Sequence, residues 1–289
     1  MQLDTITVTS SRIPAEQSRL PIAVGSVSEH DIQTGQQQLG LDESLTSVPG
    51  LFFQSRYNFA QDPRISIRGF GARADFGIRG IRIYADGIPQ TLPDGQSNVD
   101  AIDLGSAQRI EVIRGPFSSV YGAASGGVIN VMTEEGPDTP YVSSRLSAGS
   151  YDFAQGQLKA GGHTGRLNYL ANASGTTLDG YRDHARYRNR LFNSKFRYEF
   201  DDNTDLTVVL NAVDSPRAED PGALTKSEVR SDRKQAAPRN RLFDAGEELD
   251  QQTVGLAYKR TIGEKHELML RNYYVMRDFR NRLPFDINS

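Results

Sequence analysis

The 289-residue sequence predicts an α+β domain followed by an incomplete antiparallel transmembrane β-barrel, and three observations carry that reading. Up to residue 138 short apolar runs are punctuated by Gly, Pro and Asp, whereas from Tyr141 onward apolar and polar residues alternate with period two. The links between the alternating stretches switch between tight turns and long polar loops. No run of ~18 apolar residues occurs, so no transmembrane helix is expected, but a transmembrane strand needs only ~9–11 residues with one apolar face. The mean hydropathy of -0.52 is therefore silent on a barrel.

In the first part, Arg64–Arg68, Ile81–Ala85, Arg109–Arg114 and Gly127–Thr133 are rich in Ile and Val and read as strands. Ser28 followed by Asp31 resembles a helix start, and Asp42 precedes a second short helix over Glu43–Ser47 that Pro49-Gly50 ends.

The alternating stretches come next. In Tyr141–Gly149, Val142, Leu146 and Ala148 share one face; in Phe153–Gly162, Ala154, Gly156, Leu158 and Ala160 do so. Leu191–Phe200 is the clearest case, with Phe192, Phe196, Tyr198 and Phe200 opposite Asn193, Lys195, Arg197 and Glu199. Arg166–Thr176, Asp205–Val213, Gln251–Thr261 and His266–Arg277 complete seven strand candidates, the last with Asn272 on its apolar face. Alternation alone also suits a soluble two-layer sandwich. The loops favour a membrane barrel: Ser150–Asp152, His163–Gly165, Asp201–Thr204 and Gly263–Lys265 are tight, whereas Thr177–Arg190 and Asp214–Asp250 are long. Seven strands do not close a bacterial single-chain barrel, which has an even number, so the chain reads as a fragment, a split gene product or a truncated frame.

Composition narrows function by exclusion. Without cysteine there is no disulfide framework and no thiol nucleophile. The four histidines, His30, His163, His184 and His266, share no short metal-ligand spacing, so no metal site is expected. A net charge of -3 argues against a nucleic-acid partner. No Gly-x-Ser-x-Gly elbow, carboxylate pair or metal triad points to an enzyme. Met1-Gln2-Leu3 leads straight into polar sequence, so the chain reads as a mature form or as one whose true start is lost.

Ordered motifs give a family resemblance. Asp4-Thr5-Ile6-Thr7-Val8-Thr9 resembles a TonB box, and Leu41-Asp42-Glu43-Ser44-Leu45 with Val48-Pro49-Gly50-Leu51 resembles a family helix and turn. Ile65-Ser66-Ile67-Arg68-Gly69-Phe70-Gly71, Tyr84-Ala85-Asp86-Gly87-Ile88-Pro89, Ile110–Pro116 and Tyr121-Gly122 through Gly126–Val131 follow in the family's order. On these residues the chain resembles a TonB-dependent outer-membrane receptor: a TonB box and linker over 1–21, a plug domain over 22–138, and over 139–289 the N-terminal part of a barrel of ~22 strands. The resemblance implies active uptake across the outer membrane, a plug and N-terminus facing the periplasm, and a monomer. Its partners would be TonB, with its inner-membrane energy-coupling complex, and outer-membrane lipid. Within the family, Phe59-Ala60-Gln61-Asp62, Gly77-Ile78-Arg79-Gly80, Leu92–Gln96, Gly180–His184 and Asp220–Lys226 resemble receptors for pyrroloquinoline quinone, which would be cargo rather than a bound cofactor. A ferric-siderophore or ferric-citrate receptor, or a truncated non-transporting plug remnant, are the alternatives.

Site expectations follow from that resemblance. Thr5, Ile6, Thr7, Val8 and Thr9 would pair with TonB by strand addition. Arg73 and Arg79 flank a Gly-rich loop and suit a carboxylated ligand. Tyr57, Phe59 and Phe76 would either stack on a flat ligand or pack the plug apex. Gln90, Asp94 and Gln96 would orient the ligand, and Tyr181, Arg182 and His184 would close from above. Arg68 and Arg114 would hold the plug by pairing with carboxylates of plug or barrel wall, and Glu111 would be a further plug–barrel contact.

Overall fold

In the computed structural model, which describes residues 7–8, 15–16, 22–54, 57–74, 77–116, 118–122, 124–263 and 266–285, the chain divides into two units. One comprises Met1–Ser55 with Asp62–Glu134, the other Arg56–Gln61 with Glu135–Ser289. The division falls just before the boundary at 138, and Arg56–Gln61 groups with the second unit although it lies within the first in sequence. Thr5, Ile6, Thr9, Asp75 and Phe76 lie outside the described residues.

The first unit begins with β1 (Thr7–Val8) and β2 (Ala15–Glu16), which pair antiparallel with Thr7 opposite Glu16. Its centre is built from β3 (Ala23–Ser28), β6 (Ile81–Ala85), β7 (Ile88–Pro89), β8 (Ala107–Arg114) and β9 (Gly127–Thr133) in the order β3-β8-β9-β6-β7. Only the β6–β9 neighbours run parallel. Ile81, Ile83, Ile110, Val112, Ile113, Val128, Ile129 and Val131 are buried, which explains why these strands read as continuous apolar runs. The Asp-Gly hairpin forms as its residues demand: Asp86 and Gly87 both have positive φ (47° and 75°), the turn that suits a two-residue hairpin. The Asp86 carboxylate then accepts from Thr133 N–H (3.0 Å) and Thr133 Oγ1 (2.7 Å), tying the hairpin to the end of β9.

A second hairpin joins β4 (Leu51–Gln54) to β5 (Arg64–Ile67). The strand expected to run to Arg68 stops at Ile67, because Arg68 (φ 50°) and Gly69 (φ 88°) form a tight turn closed by Ile67 and Phe70 bonding each other in both directions at 3.0 Å. Two short helices, α1 (Glu29–Gln33) and α2 (Leu41–Leu45), lie near where they were expected. Ser28 caps α1 by accepting from Asp31 N–H. The second helix starts earlier than Glu43 and ends at Leu45: Gly40 is its N-cap, and the Glu43 carboxylate gathers the N–H groups of Gln37, Gln38, Leu39 and Gly40 at 2.7–3.2 Å. A further short helix, α3 (Ser118–Tyr121), precedes β9. Gly127 needs to be glycine, since at φ 148° an added Cβ would sit 2.2 Å from the Ile113 carbonyl oxygen.

The second unit is one antiparallel meander, seven strands in sequence order among the described residues, and not a two-layer sandwich. Its strands are β10 (Tyr141–Gly149), β11 (Phe153–Thr164), β12 (Leu167–Leu178), β13 (Tyr187–Asp201), β14 (Thr204–Glu219), β15 (Gly246–Ile262) and β16 (His266–Arg282). The last four are 15 to 17 residues long, longer than the alternation suggested, because backbone pairing continues through charged residues such as Arg188 and Arg190 where the apolar face has already ended. The long loops shrink accordingly. The connection expected over Asp214–Asp250 begins after Glu219 and contains α4 (Lys226–Ser231), with a Thr225–Glu228 capping box, and α5 (Pro238–Leu242).

This sheet is inside out by the standard of a water-soluble fold. On β13 Asn193 (4 % exposed) and Lys195 (8 %) are buried, while Phe192, Tyr198 and Phe200 are exposed. Leu146 on β10 is 87 % exposed, and Val254 and Leu256 on β15 are exposed beside buried Gln251 and Thr253. A polar row runs straight across the strands, buried Asn172 opposite buried Asn193 and Asn193 opposite half-buried Asn211, with Asn211 Nδ2 donating to Asn193 Oδ1 at 3.3 Å. Asn272 does fall in an apolar row, opposite Leu256.

Candidate functional site

In the first unit, three of the candidate ligand-binding residues, Arg79, Asp94 and Gln96, bond one another. Gly77 (φ 67°) leaves room for the Gln96 side chain, which would lie 2.3 Å from a Cβ there. Arg79 Nη1 donates to the Asp94 carbonyl (2.9 Å), and Nη2 donates to Asp94 Oδ2 (3.2 Å) and Gln96 Oε1 (3.4 Å). Gln96 returns its own N–H to Asp94 Oδ1 (3.0 Å) and passes its amide to Asp62 Oδ2 (2.9 Å). The Asp94 carboxyl is held below its ordinary range by the Gln96 N–H first of all, with desolvation opposing and the Arg79 guanidinium adding to the lowering.

Arg79 and Asp94 are both about half exposed. An exposed pair of this kind contributes little, because solvent and salt screen it. A competing carboxylate can therefore take the Arg79 fork at little cost. Arg73 is exposed nearby in sequence, on a turn where Ala72 N–H bonds Gly69 O and Ala74 N–H bonds Gly71 O. Gln90 does not join the cluster: its main chain bonds Ile83 and Asn98, and its side chain reaches the Ile88 carbonyl.

The three anchoring residues have tasks within this unit. Arg68 sits in the tight turn that follows β5 and is exposed. Among the described residues, Arg114 Nη1 donates to the carbonyl of Pro49 (2.5 Å). Glu111, fully buried, lies 3.1 Å from Arg109 Nε, an ion pair without hydrogen-bond alignment.

In the second unit the loop residues are tied to one another. Phe59 stacks on Tyr187 with centroids 4.2 Å apart and planes 16° apart, so one face of its ring is already covered. Asn58 and Gln61 donate to the two oxygens of Asp220 at 2.8 and 3.1 Å. Tyr57 (φ 46°) is exposed. Tyr181 packs edge-on to Tyr151 and lies under Lys234 Nζ at 5.8 Å. Arg182 is a clasp: Nε and Nη2 donate to the Gln235 carbonyl (3.1 and 2.8 Å), Nη2 to Pro221 O (3.0 Å), and Nη1 to Gly222 O. These bonds commit the guanidinium to carbonyls of the loop instead of leaving it open to a ligand.

His184 closes the same loop base, with Nε2 at 2.8 Å from the Ala245 carbonyl. Its Nδ1 lies 3.9 Å from Glu219 and 4.0 Å from Asp244. The three could hold a metal ion on distance alone, their ligand atoms lying within 4.8 Å of one another. The surroundings oppose it. The buried Glu219 carboxylate already accepts from Arg186 N–H (2.9 Å), the Arg186 guanidinium and Arg217 Nε (2.7 Å), so an added cation would meet two fixed positive charges. The sequence reading missed Asp62, Arg186, Arg217, Asp220 and Glu219; the pairing of Gln61 with Asp220 was foreshadowed only by both lying in family-like motifs.

Comparison with known proteins places the first unit. Residues 16–128 match the family described as TonB-dependent Receptor Plug Domain. A metal-pseudopaline receptor, CntO of Pseudomonas aeruginosa (strain UCBPP-PA14), is 26 % identical over 184 residues, 61 % of this chain and 25 % of that protein. The unliganded ferric citrate transporter FecA superposes with a TM-score of 0.75 at 20 % identity, covering 96 % of this chain and 43 % of FecA. The ferric yersiniabactin uptake receptor FyuA from Yersinia pestis gives 0.72 at 20 % identity, covering 89 % and 41 %. A copper transporter, OprC, gives 0.65 at 16 % identity, covering 87 % and 37 %. At these identities the likeness is one of fold: a plug domain followed by antiparallel barrel strands. The chain spans less than half the length of each of these proteins.

Proposed function

We propose that this chain is the N-terminal part of a TonB-dependent outer-membrane transporter that takes up a small, scarce, anionic solute. The observation that carries the proposal is the inverted sheet of the second unit, apolar face exposed and polar face buried, in the same chain as a plug domain. Exposed Leu146, Leu158, Phe192 and Leu256 suit hydrocarbon, and polar Asn172, Asn193 and Asn211 suit a lumen. Transport of this kind needs no covalent chemistry. TonB would add a strand to the segment Thr5–Thr9, whose residues Thr7 and Val8 are already extended and paired with Ala15–Glu16, and would pull on the plug.

The first candidate cargo is pyrroloquinoline quinone. Support comes from the loop motifs named above and from Arg79 and Arg73, whose forks suit its carboxylates. A metal chelate is the second reading, favoured by the cargoes named for CntO, FecA and FyuA. The test is uptake by the full-length protein in a strain lacking its own transporter, with and without Thr5–Thr9. Uptake of pyrroloquinoline quinone that disappears with the segment is expected. Uptake of ferric citrate or another metal chelate instead would replace the cargo, and uptake indifferent to the segment would overturn the mechanism.

A further inference from the structure

The connection between β14 and β15 carries charge that its own fold does not use. From Lys226 to Arg241 six basic residues, Lys226, Arg230, Arg233, Lys234, Arg239 and Arg241, stand against two acidic ones, Glu228 and Asp232, in a chain whose net charge is -3. All six are exposed, and among the described residues none of them forms an ion pair. Both acids are occupied: the Glu228 carboxylate accepts from Thr225 N–H and Thr225 Oγ1, each at 2.7 Å, and Asp232 Oδ1 accepts from Lys234 N–H at 2.9 Å. The acids at the base of the connection are occupied as well, Glu219 by Arg186 and Arg217, Asp220 by Asn58 and Gln61, and Asp244 by Arg282. Charge that nearly cancels over the whole connection is therefore sorted, with engaged acids at the base and unpaired cations on the helical segment.

These cations are displayed from an ordered frame. The Gln235 amide donates to Glu228 O and Asp232 O, both at 2.9 Å, and the Arg182 guanidinium ties the Gln235 carbonyl to those of Pro221 and Gly222. Helix stability explains only part of the pattern. Arg230, Arg239 and Arg241 lie in the last turns of α4 and α5, where a cation complements the helix dipole. Lys226 is the first residue of α4, where a cation opposes that dipole, and it stands four residues from Arg230, a like-charge spacing that destabilises a helix. Arg233 and Lys234 lie outside both helices. A surface serving solubility alone would intersperse the two signs.

We propose that the α4–α5 segment is a landing surface for a multiply anionic cargo, a small polycarboxylate or the metal chelate of one, whose field draws the solute in before it reaches its final contacts. The inference rests on the transport reading, in which long loops face outward and the solute is scarce, so that capture from dilute solution is part of the task. Cations spread over two helices and the turn between them act at a distance. Attraction of this kind raises association rates by ~10–1000-fold and contributes little to holding the bound complex. It also sets a class preference, since a neutral solute of the same size gains nothing from the field.

The test is stopped-flow binding to the full-length protein in detergent, with pyrroloquinoline quinone and, separately, with ferric citrate. One variant changes all six cations to glutamine. A second, Lys226→Gln with Arg233→Gln and Lys234→Gln, keeps the helix-end arginines and so guards against loss of the local fold. At ~0.01 M salt the association rate is expected to fall about tenfold or more in the first variant and by a smaller factor in the second, with the dissociation rate unchanged. The difference is expected to close at ~1 M salt, where the screening length has dropped from ~30 Å to ~3 Å. Association unchanged in both variants, or dissociation speeded as much as association is slowed, overturns the landing surface and leaves the cargo reading standing. Failure of the unaltered protein to bind either probe overturns both.

Discussion

Replacing Arg182 by alanine separates a clasp from a ligand contact. The guanidinium makes four hydrogen bonds to the carbonyls of Pro221, Gly222 and Gln235, and burial lowers its pKa while Asp220 and Asp183 counter that, so it is held charged in a partly desolvated place. Each charge-assisted hydrogen bond is worth ~1.5–3 kcal/mol, and bonds sharing one side chain do not add. Truncation also leaves carbonyls without a partner, while Asp183 N–H to Lys234 O (2.7 Å) survives. A local loss of about 3 kcal/mol follows, which is on the order of a hundredfold in the opening equilibrium. Native-state hydrogen exchange on the full-length protein reads it directly. The amides of Asp183 and of Ala237, which bonds Pro221 O at 2.8 Å, are expected to exchange about a hundred times faster, with the β8–β9 amides unchanged. Arg182→Lys should recover little, because an ammonium cannot reproduce the fork. Unchanged exchange together with lost cargo binding would refute the clasp and restore Arg182 as a ligand contact.

Other outcomes follow from single sites. In Arg79→Gln the Asp94 carboxyl should titrate closer to 3.8 without reaching it, because the Gln96 N–H is the larger cause of its depression; a carboxylate NMR titration shows this, and an unmoved Asp94 contradicts it. Because the folded pKa lies below 3.8, the stabilisation Asp94 contributes is present above that pH and is lost as pH falls through the lower folded value. Gly127→Ala should destabilise the protein by about 2 kcal/mol or more in denaturant titration, since the added carbon sits 2.2 Å from the Ile113 carbonyl oxygen; wild-type stability would refute the close approach. Thr225→Ala removes the cap of α4, costs that helix about 1 kcal/mol, and should speed exchange at the Val229 and Asp232 amides several-fold with no change elsewhere.

The fold was legible wherever one local rule governed the residues. Alternation in Leu191–Phe200 placed Asn193 and Phe192 on opposite faces, and the Asp86-Gly87 dipeptide placed its hairpin, because strand period and turn chemistry are short-range. Strand ends were less legible: β13 and β14 run on through Arg188 and Arg217, since ladder pairing is indifferent to the polarity that marked the apolar stretch. The start of α2 was missed because the Glu43 carboxylate gathers N–H groups from a preceding loop that carries no cap residue. In the candidate site, Arg79, Asp94 and Gln96 were each singled out from neighbouring motifs as ligand contacts, but their bonding to one another was not. Arg182 as a loop clasp, and Glu219 as the point where Arg186, Arg217 and His184 converge, depend on two distant loops meeting, for which sequence spacing holds no signal.

The lipid-facing sheet is the claim on which the transport reading depends, and a spin-label scan tests it most directly. This chain has no cysteine, so single cysteines placed along Leu191–Phe200 of the full-length protein in bilayers can carry a nitroxide without competition from within it. Labels at 192, 196, 198 and 200 are expected to collide with oxygen more than with a water-soluble nickel chelate, and labels at 193, 195, 197 and 199 are not. Equal accessibility along the stretch, or the reverse pattern, would contradict the account.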